Sequence, residues 1–141
     1  MKVFTLEEAQ AVLPVVEALL KRAMEARRSV MEIEHDLQQL SQRISLSGGM
    51  RVDVPAVKRQ RTAHDLFAEQ VQELVTEIDS IGVEVKDLDS GLLDFPCKLE
   101  DRVVLLCWKQ GEDRITHWHT MEDGFRGRKP IDDRFRRSKP N

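Results

Sequence analysis

Fifteen residues, Leu105 to His119, hold both tryptophans, one of the two cysteines and two of the four histidines of the chain. On a strand, His117 and His119 point to the same side, because side chains repeat every two residues. Two imidazoles so placed make a chelating pair for a divalent transition metal, and a thiolate from Cys107 adds a third ligand of the kind zinc, nickel or iron accepts. The candidate metal set is therefore Cys107, His117 and His119. Whether Cys107 joins depends on hairpin register. A three-residue loop Lys109-Gln110-Gly111, with Gly111 left-handed, sets Trp108 opposite Glu112 and puts Cys107 on the histidines' face. A two-residue Gly111-Glu112 turn changes parity and sends Cys107 to the other side. The first is preferred, because Gly last suits that loop. The competing reading is plain packing of strand aromatics and histidines.

Other groups are less specific. Asp94 is a further carboxylate in a neighbouring strand, with a salt bridge to Lys86 across the first hairpin as the simpler expectation. Gly124-Phe-Arg-Gly-Arg128 can curl its amides around an anion while Arg126 and Arg128 converge on it; the plainer reading is a structural turn with surface arginines. His64 reads as a polar contact within a helix pair, His35 as surface. No Ser–His–Asp arrangement and no phosphate-binding glycine loop before a helix is present.

These residues need elements to position them. Thr5 and Glu8 make a capping box, and Ala9, Val16, Ala23, Val30, Leu37 and Ile44 recur at intervals of seven. That stripe predicts an amphipathic helix to about residue 46, roughly 60 Å long, with a kink or break at Pro14. Ser47-Gly48-Gly49 interrupts it. Asp53 caps a second helix, whose stripe Phe67, Val71, Leu74, Ile78 and Ile81 ends at Gly82. Two such helices on a short loop pack antiparallel or contribute to a coiled coil.

Beyond Gly82 the period becomes two, predicting strands at Val83–Val85, Leu92–Cys97, Val103–Trp108 and Ile115–His119, with Asp89-Ser90-Gly91 as a hairpin loop. Pro96 marks its strand as frayed or at an edge. The third strand is apolar on both faces, so one face packs on the helices and the other needs a cover. The fold class is α+β: a long antiparallel helical hairpin, about 5–81, then a small antiparallel sheet of three to four strands, about 83–120. A turn and basic tail, 121–141, complete one domain spanning 1–141.

Charge is uneven. The net value is −3, but residues 126–141 carry seven basic groups against Asp132 and Asp133. This tail is a candidate contact for nucleic acid, or it folds back on its own acidic body. No apolar run nears the roughly 20 residues of a membrane helix. Two cysteines without a leader-like segment predict a cytoplasmic protein with free thiols. Surplus apolar surface predicts a homodimer.

In combination, Phe4-Thr-Leu-Glu-Glu-Ala9 with Leu13-Pro14, Gly82-Val-Glu-Val-Lys-Asp87, Gly91-Leu-Leu-Asp-Phe95, Leu106-Cys-Trp108, Gly111-Glu112, Trp118-His119 and Gly124-Phe-Arg-Gly-Arg128 resemble the bacterial family known as domain of unknown function 2203. The resemblance covers nearly the whole chain. It implies a bacterial protein and carries no established activity. Its pattern includes His119 more clearly than His117, which favours a pocket of Cys107, Trp108, Trp118, His119, Arg126 and Arg128. Three functions follow: a dimeric ligand-binding or regulatory domain, a metal protein or enzyme using Cys107, His117 and His119, and a nucleic-acid or ribosome-associated protein.

Overall fold

A computed structural model describes residues 2–49 and 51–136. Helix α1 runs Leu6–Leu46 and helix α2 Val54–Ile81. The α1 capping box forms as the sequence requires: the Glu8 amide donates to Thr5 Oγ1 at 3.1 Å and the Thr5 amide to Glu8 Oε1 at 2.8 Å. Asp53 Oδ1 accepts from the Ala56 amide at 3.0 Å to start α2. The expected break at Pro14 does not occur, and α1 is continuous through it. Proline forfeits one amide donor, whereas Leu13, Val16, Leu19 and Leu20 around it are all buried; packing on both sides of Pro14 holds the helix together.

Burial divides the hairpin. The buried residues of α1 lie between Ala9 and Val30, and those of α2 are Leu74 and Ile78. From residue 31 to 73 no described residue is buried. There each helix has only the other to pack against, so Ile33, Leu37, Leu40, Val57, Phe67 and Val71 are half-covered. The outer part of the hairpin is an arm, and its base is core.

Five antiparallel strands follow in meander order: β1 Glu84–Asp87, β2 Leu92–Leu99, β3 Arg102–Lys109, β4 His117–His119 and β5 Lys129–Pro130. The fifth lay beyond the expected count, being a two-residue addition to the edge. The β2–β3 turn uses Glu100 and Asp101, both at positive φ, the pairing that keeps a two-residue hairpin in step with strand twist. Pro96 is tolerated for a local reason. Strand β1 begins at Glu84, opposite Asp94, so Pro96 has no β1 partner, and the Pro96 carbonyl accepts the Phe4 amide at 2.7 Å instead. The proline nitrogen points to that same side, so no β3 ladder bond is lost.

One face of the sheet presents Leu93, Phe95, Cys97, Leu99, Val104, Leu106, Trp108 and Trp118 to the helices, forming one core with Phe4, Leu13, Val16, Leu20 and Ile78. Phe4 meets Phe95 edge-on, with ring centroids 5.7 Å apart. A last short helix, α3, spans Asp133–Arg136 and inserts Phe135 into the same core against Trp118. No helix among the described residues is long and apolar enough to cross a membrane.

Candidate functional site

Strand alternation decides which rare side chains meet. Cys107 pairs with His117, Leu106 with Trp118 and Leu105 with His119, while Asp94 pairs with Cys107 on the other side. Paired residues share a face. Asp94, Cys107, His117 and His119 therefore lie on the outer face of the sheet, and Trp108 and Trp118 on the helix face. The connection between β3 and β4 is longer than the expected three-residue loop, running from 110 to 116, with Ile115 held by a reciprocal pair of hydrogen bonds to the Gln10 side chain at 3.2 Å. Its length preserves parity, so Cys107 and the histidines share a face as the preferred register required.

The same parity separates the tryptophans from them. Trp108 is fully buried in the helix-side core and donates through Nε1 to the Glu112 carbonyl at 3.1 Å. Trp118 packs on Phe135, with Lys129 Nζ 5.2 Å and the Arg134 guanidinium 5.5 Å from its ring centroid. The six-residue pocket drawn from sequence is thus divided by the sheet itself.

On the outer face, Asp94, Cys107 and His119 bring one ligand atom each to within 4.8 Å of one another, and all three are buried. His119 Nε2 lies 3.1 Å from Asp94 Oδ1, and Nδ1 lies 2.8 Å from the Thr120 carbonyl oxygen. A carbonyl only accepts, so Nδ1 carries the hydrogen and Nε2 faces the Asp94 carboxylate. Asp94 Oδ2 is buried with no hydrogen-bond partner among the described residues. Burial raises the Asp94 carboxyl above its ordinary range, opposed by His119. Burial, with the Asp94 charge second, pushes the Cys107 thiol up to about 11 against the pull of Arg128.

His117 does not join this group. It is half-buried, with Nδ1 at 2.9 Å from Thr116 Oγ1. Asp94 does not pair with Lys86 as expected; Lys86 Nζ lies 3.9 Å from Glu84 instead, because Asp94 sits inside the sheet and Lys86 at its solvent edge. Asp94 is the residue whose role the sequence left open. Its signal was a carboxylate within the apolar run Leu92-Leu-Asp-Phe-Pro-Cys97, directly across from Cys107.

The C-terminal turn begins at Thr120, whose Oγ1 accepts the Asp123 amide at 3.2 Å. Phe125–Gly127 is a single 3₁₀ turn. Its geometry differs from an anion nest: the Gly127 and Arg128 amides donate to the Gly124 and Phe125 carbonyls, both at 3.1 Å, and are thereby spent. Arg126 is exposed. Arg128 is half-buried, stacks on Phe125 at 4.5 Å and donates to Glu112 Oε2 at 3.2 Å. Further along, Arg134 pairs with Asp132 and Glu100, and Arg136 with Asp133. Arg128, Arg134 and Arg136 are thus paired with carboxylates, two of them (Asp132 and Asp133) within the tail itself; Arg137 and Lys139 lie outside the described residues. On the arm, His64 bridges Asp65 and Glu34, both at 3.1 Å, and these contacts raise its pKa.

Fold and site together define a small α+β domain with a buried His–Asp–Cys cluster on the outer face of its sheet. The chain belongs to the family described as Uncharacterized conserved protein (DUF2203), which matches residues 2–131. No curated protein and no solved structure matches it.

Proposed function

We propose that this protein is a bacterial, cytoplasmic, homodimeric binding or regulatory domain whose ligand site is the Asp94–Cys107–His119 cluster. One observation carries the choice of binding over thiol catalysis: both ring nitrogens of His119 are engaged, Nδ1 by the Thr120 carbonyl and Nε2 by Asp94. A thiol enzyme needs an imidazole nitrogen aimed at the sulfur and a carboxylate on the other nitrogen. Here a backbone carbonyl takes Nδ1 and the carboxylate takes Nε2, which leaves neither nitrogen to accept the thiol proton, and a thiol held near 11 is a poor nucleophile at neutral pH.

Self-association rests on the arm. Leu46, Val54 and Leu66 are exposed apolar residues on it, 88%, 64% and 62% accessible, and a second arm is the simplest cover. The nucleic-acid alternative ranks behind because Arg128, Arg134 and Arg136 are paired with carboxylates.

The test is native against denaturing mass spectrometry of the gently purified protein, with iodoacetamide kinetics beside it. A retained species that Asp94→Asn releases, and alkylation of Cys107 at least about tenfold slower than in the unfolded chain, are expected. Rapid alkylation with a thiol pKa below 8, and no retained species, would assign the cluster to thiol chemistry instead.

A further inference from the structure

We infer that the ligand of the Asp94–Cys107–His119 cluster is a borderline-soft divalent transition metal, zinc or a first-row neighbour such as cobalt or iron. This rests on the binding reading above and gives it a chemical class. The set differs from the one suggested by sequence, with Asp94 in place of His117.

Three features of the cluster point to a cation. The first is the tautomer. With its hydrogen fixed on Nδ1 by the Thr120 carbonyl, His119 directs the Nε2 lone pair inward. A backbone carbonyl holding the far nitrogen in this way is the usual support of a metal-binding imidazole. The second is the company of the ring: Nε2 lies 3.1 Å from Asp94 Oδ1, and one ligand atom each of Asp94, Cys107 and His119 lie within 4.8 Å of one another. Three groups able to donate an electron pair meet in a buried space, with the Arg128 guanidinium acting on Cys107 alone, and a proton or a cation among the three makes that arrangement favourable.

The third is Asp94 Oδ2. It is buried without a partner, and an orphaned carboxylate oxygen carries a desolvation cost that a shared proton on Oδ1 leaves unrelieved. A metal accepting both carboxylate oxygens, Cys107 Sγ and His119 Nε2 would give the orphaned Asp94 Oδ2 a partner and draw four donor atoms from three residues.

The donor types set the metal. One thiolate, one imidazole and one carboxylate suit zinc, cobalt or ferrous iron; magnesium and calcium prefer all-oxygen sites. Binding forms a metal–sulfur bond and breaks the Cys107 S–H bond, releasing that proton to solvent. If Asp94 is protonated, its proton leaves too. Because the Cys107 proton must leave as the metal–sulfur bond forms, affinity rises with pH.

The experiment is cobalt(II) titration of the chelator-treated full chain, followed by absorbance, with zinc competition and circular dichroism to check folding. One equivalent should bind, with a thiolate-to-cobalt charge-transfer band and release of at least one proton per metal. Cys107→Ser should abolish that band; Asp94→Asn and His119→Ala should weaken binding more than about tenfold. His117→Ala should leave the titration unchanged. Should His119→Ala not fold, the Cys107→Ser spectrum decides alone. No cobalt bound to folded wild-type protein, or binding with the charge-transfer band unaltered in Cys107→Ser, would overturn the metal assignment. A retained organic species released by Asp94→Asn would in that case leave the binding reading standing; its absence as well would remove both.

Discussion

Asp94 is the residue on which the outer face turns. Its folded pKa is raised, mainly by burial, so the protonated form is the one the fold favours. The sign follows: its contribution to stability is full below the unfolded value near 3.8 and is lost as pH rises through the raised folded value. Asp94→Asn, which fixes a neutral side chain, should therefore compare better with wild type at pH 7 than at pH 4. Urea melts at both pH values, with chelator present, measure the difference; a larger deficit for the variant at pH 7 would mean a depressed, ion-paired carboxylate. Cys97 and Cys107 act at the other end of the scale. Both are pushed by burial from 9.0 to about 11, so their contribution is present below pH 9 and lost between 9 and about 11. Replacing both by alanine should cost stability at neutral pH, as buried thiols leave cavities, and flatten the alkaline decline by up to about 3 kcal/mol per thiol. Equal alkaline slopes in the two proteins would locate the loss elsewhere.

At the scale of elements, two local devices fix how the sheet meets the helices. One is the Thr5–Glu8 box, which starts α1 beside the Phe4 amide that extends the β2 edge. Thr5→Ala should lower stability by about 1 kcal/mol, read by thermal or urea melts. The other is the β1–β2 connection. Arg27 holds Asp89 at 2.6 Å, and buried Gly91, at φ +74°, accepts the Gln110 amide at 2.8 Å. A Cβ at Gly91 would stand 2.6 Å from the Gln110 Cβ and 3.2 Å from the Met24 sulfur. Gly91→Ala adds left-handed strain to that clash and should cost about 2–3 kcal/mol. A loss below about 0.5 kcal/mol would mean that the two turns separate easily.

For the whole molecule, the contrast is between arm and body. Every member of the principal core lies outside residues 31–73. Protection against amide exchange depends on buried packing, so the arm should exchange by local opening at low protein concentration while the base of the hairpin and strands β2 and β3 exchange only on global unfolding. If two arms cover each other in a homodimer, protection of 31–73 should rise with concentration through the dissociation range. Exchange mass spectrometry over a hundredfold dilution reads both effects. Concentration-independent exchange in the arm, with a dimer present by sedimentation, would move the interface to another surface.

Much of this architecture is written locally. Seven-residue spacing, the Thr5 box, the Asp53 cap and Gly82 define two helices because each signal acts within a turn or two of itself, and the change to period two after Gly82 marks the sheet for the same reason. The pocket drawn from sequence grouped Trp108 and Trp118 with Cys107 and His119, yet Cys107, His117 and His119 are odd-numbered and the tryptophans even, so strand alternation, once the register parity is granted, places thiol and imidazoles opposite the indoles. What local signals lack is the partner across a strand. Asp94 meets Cys107 and His119 only because two hairpins place β2, β3 and β4 side by side. His117 is left out by where side chains end, at the same β3 partner and on the same face. Pro14 carries the lesson in the other direction: its local penalty is real, and packing of the residues around it keeps α1 whole. Periodicity is set by neighbours in sequence, whereas the cluster is set by loop lengths and by burial, which only the assembled tertiary structure supplies.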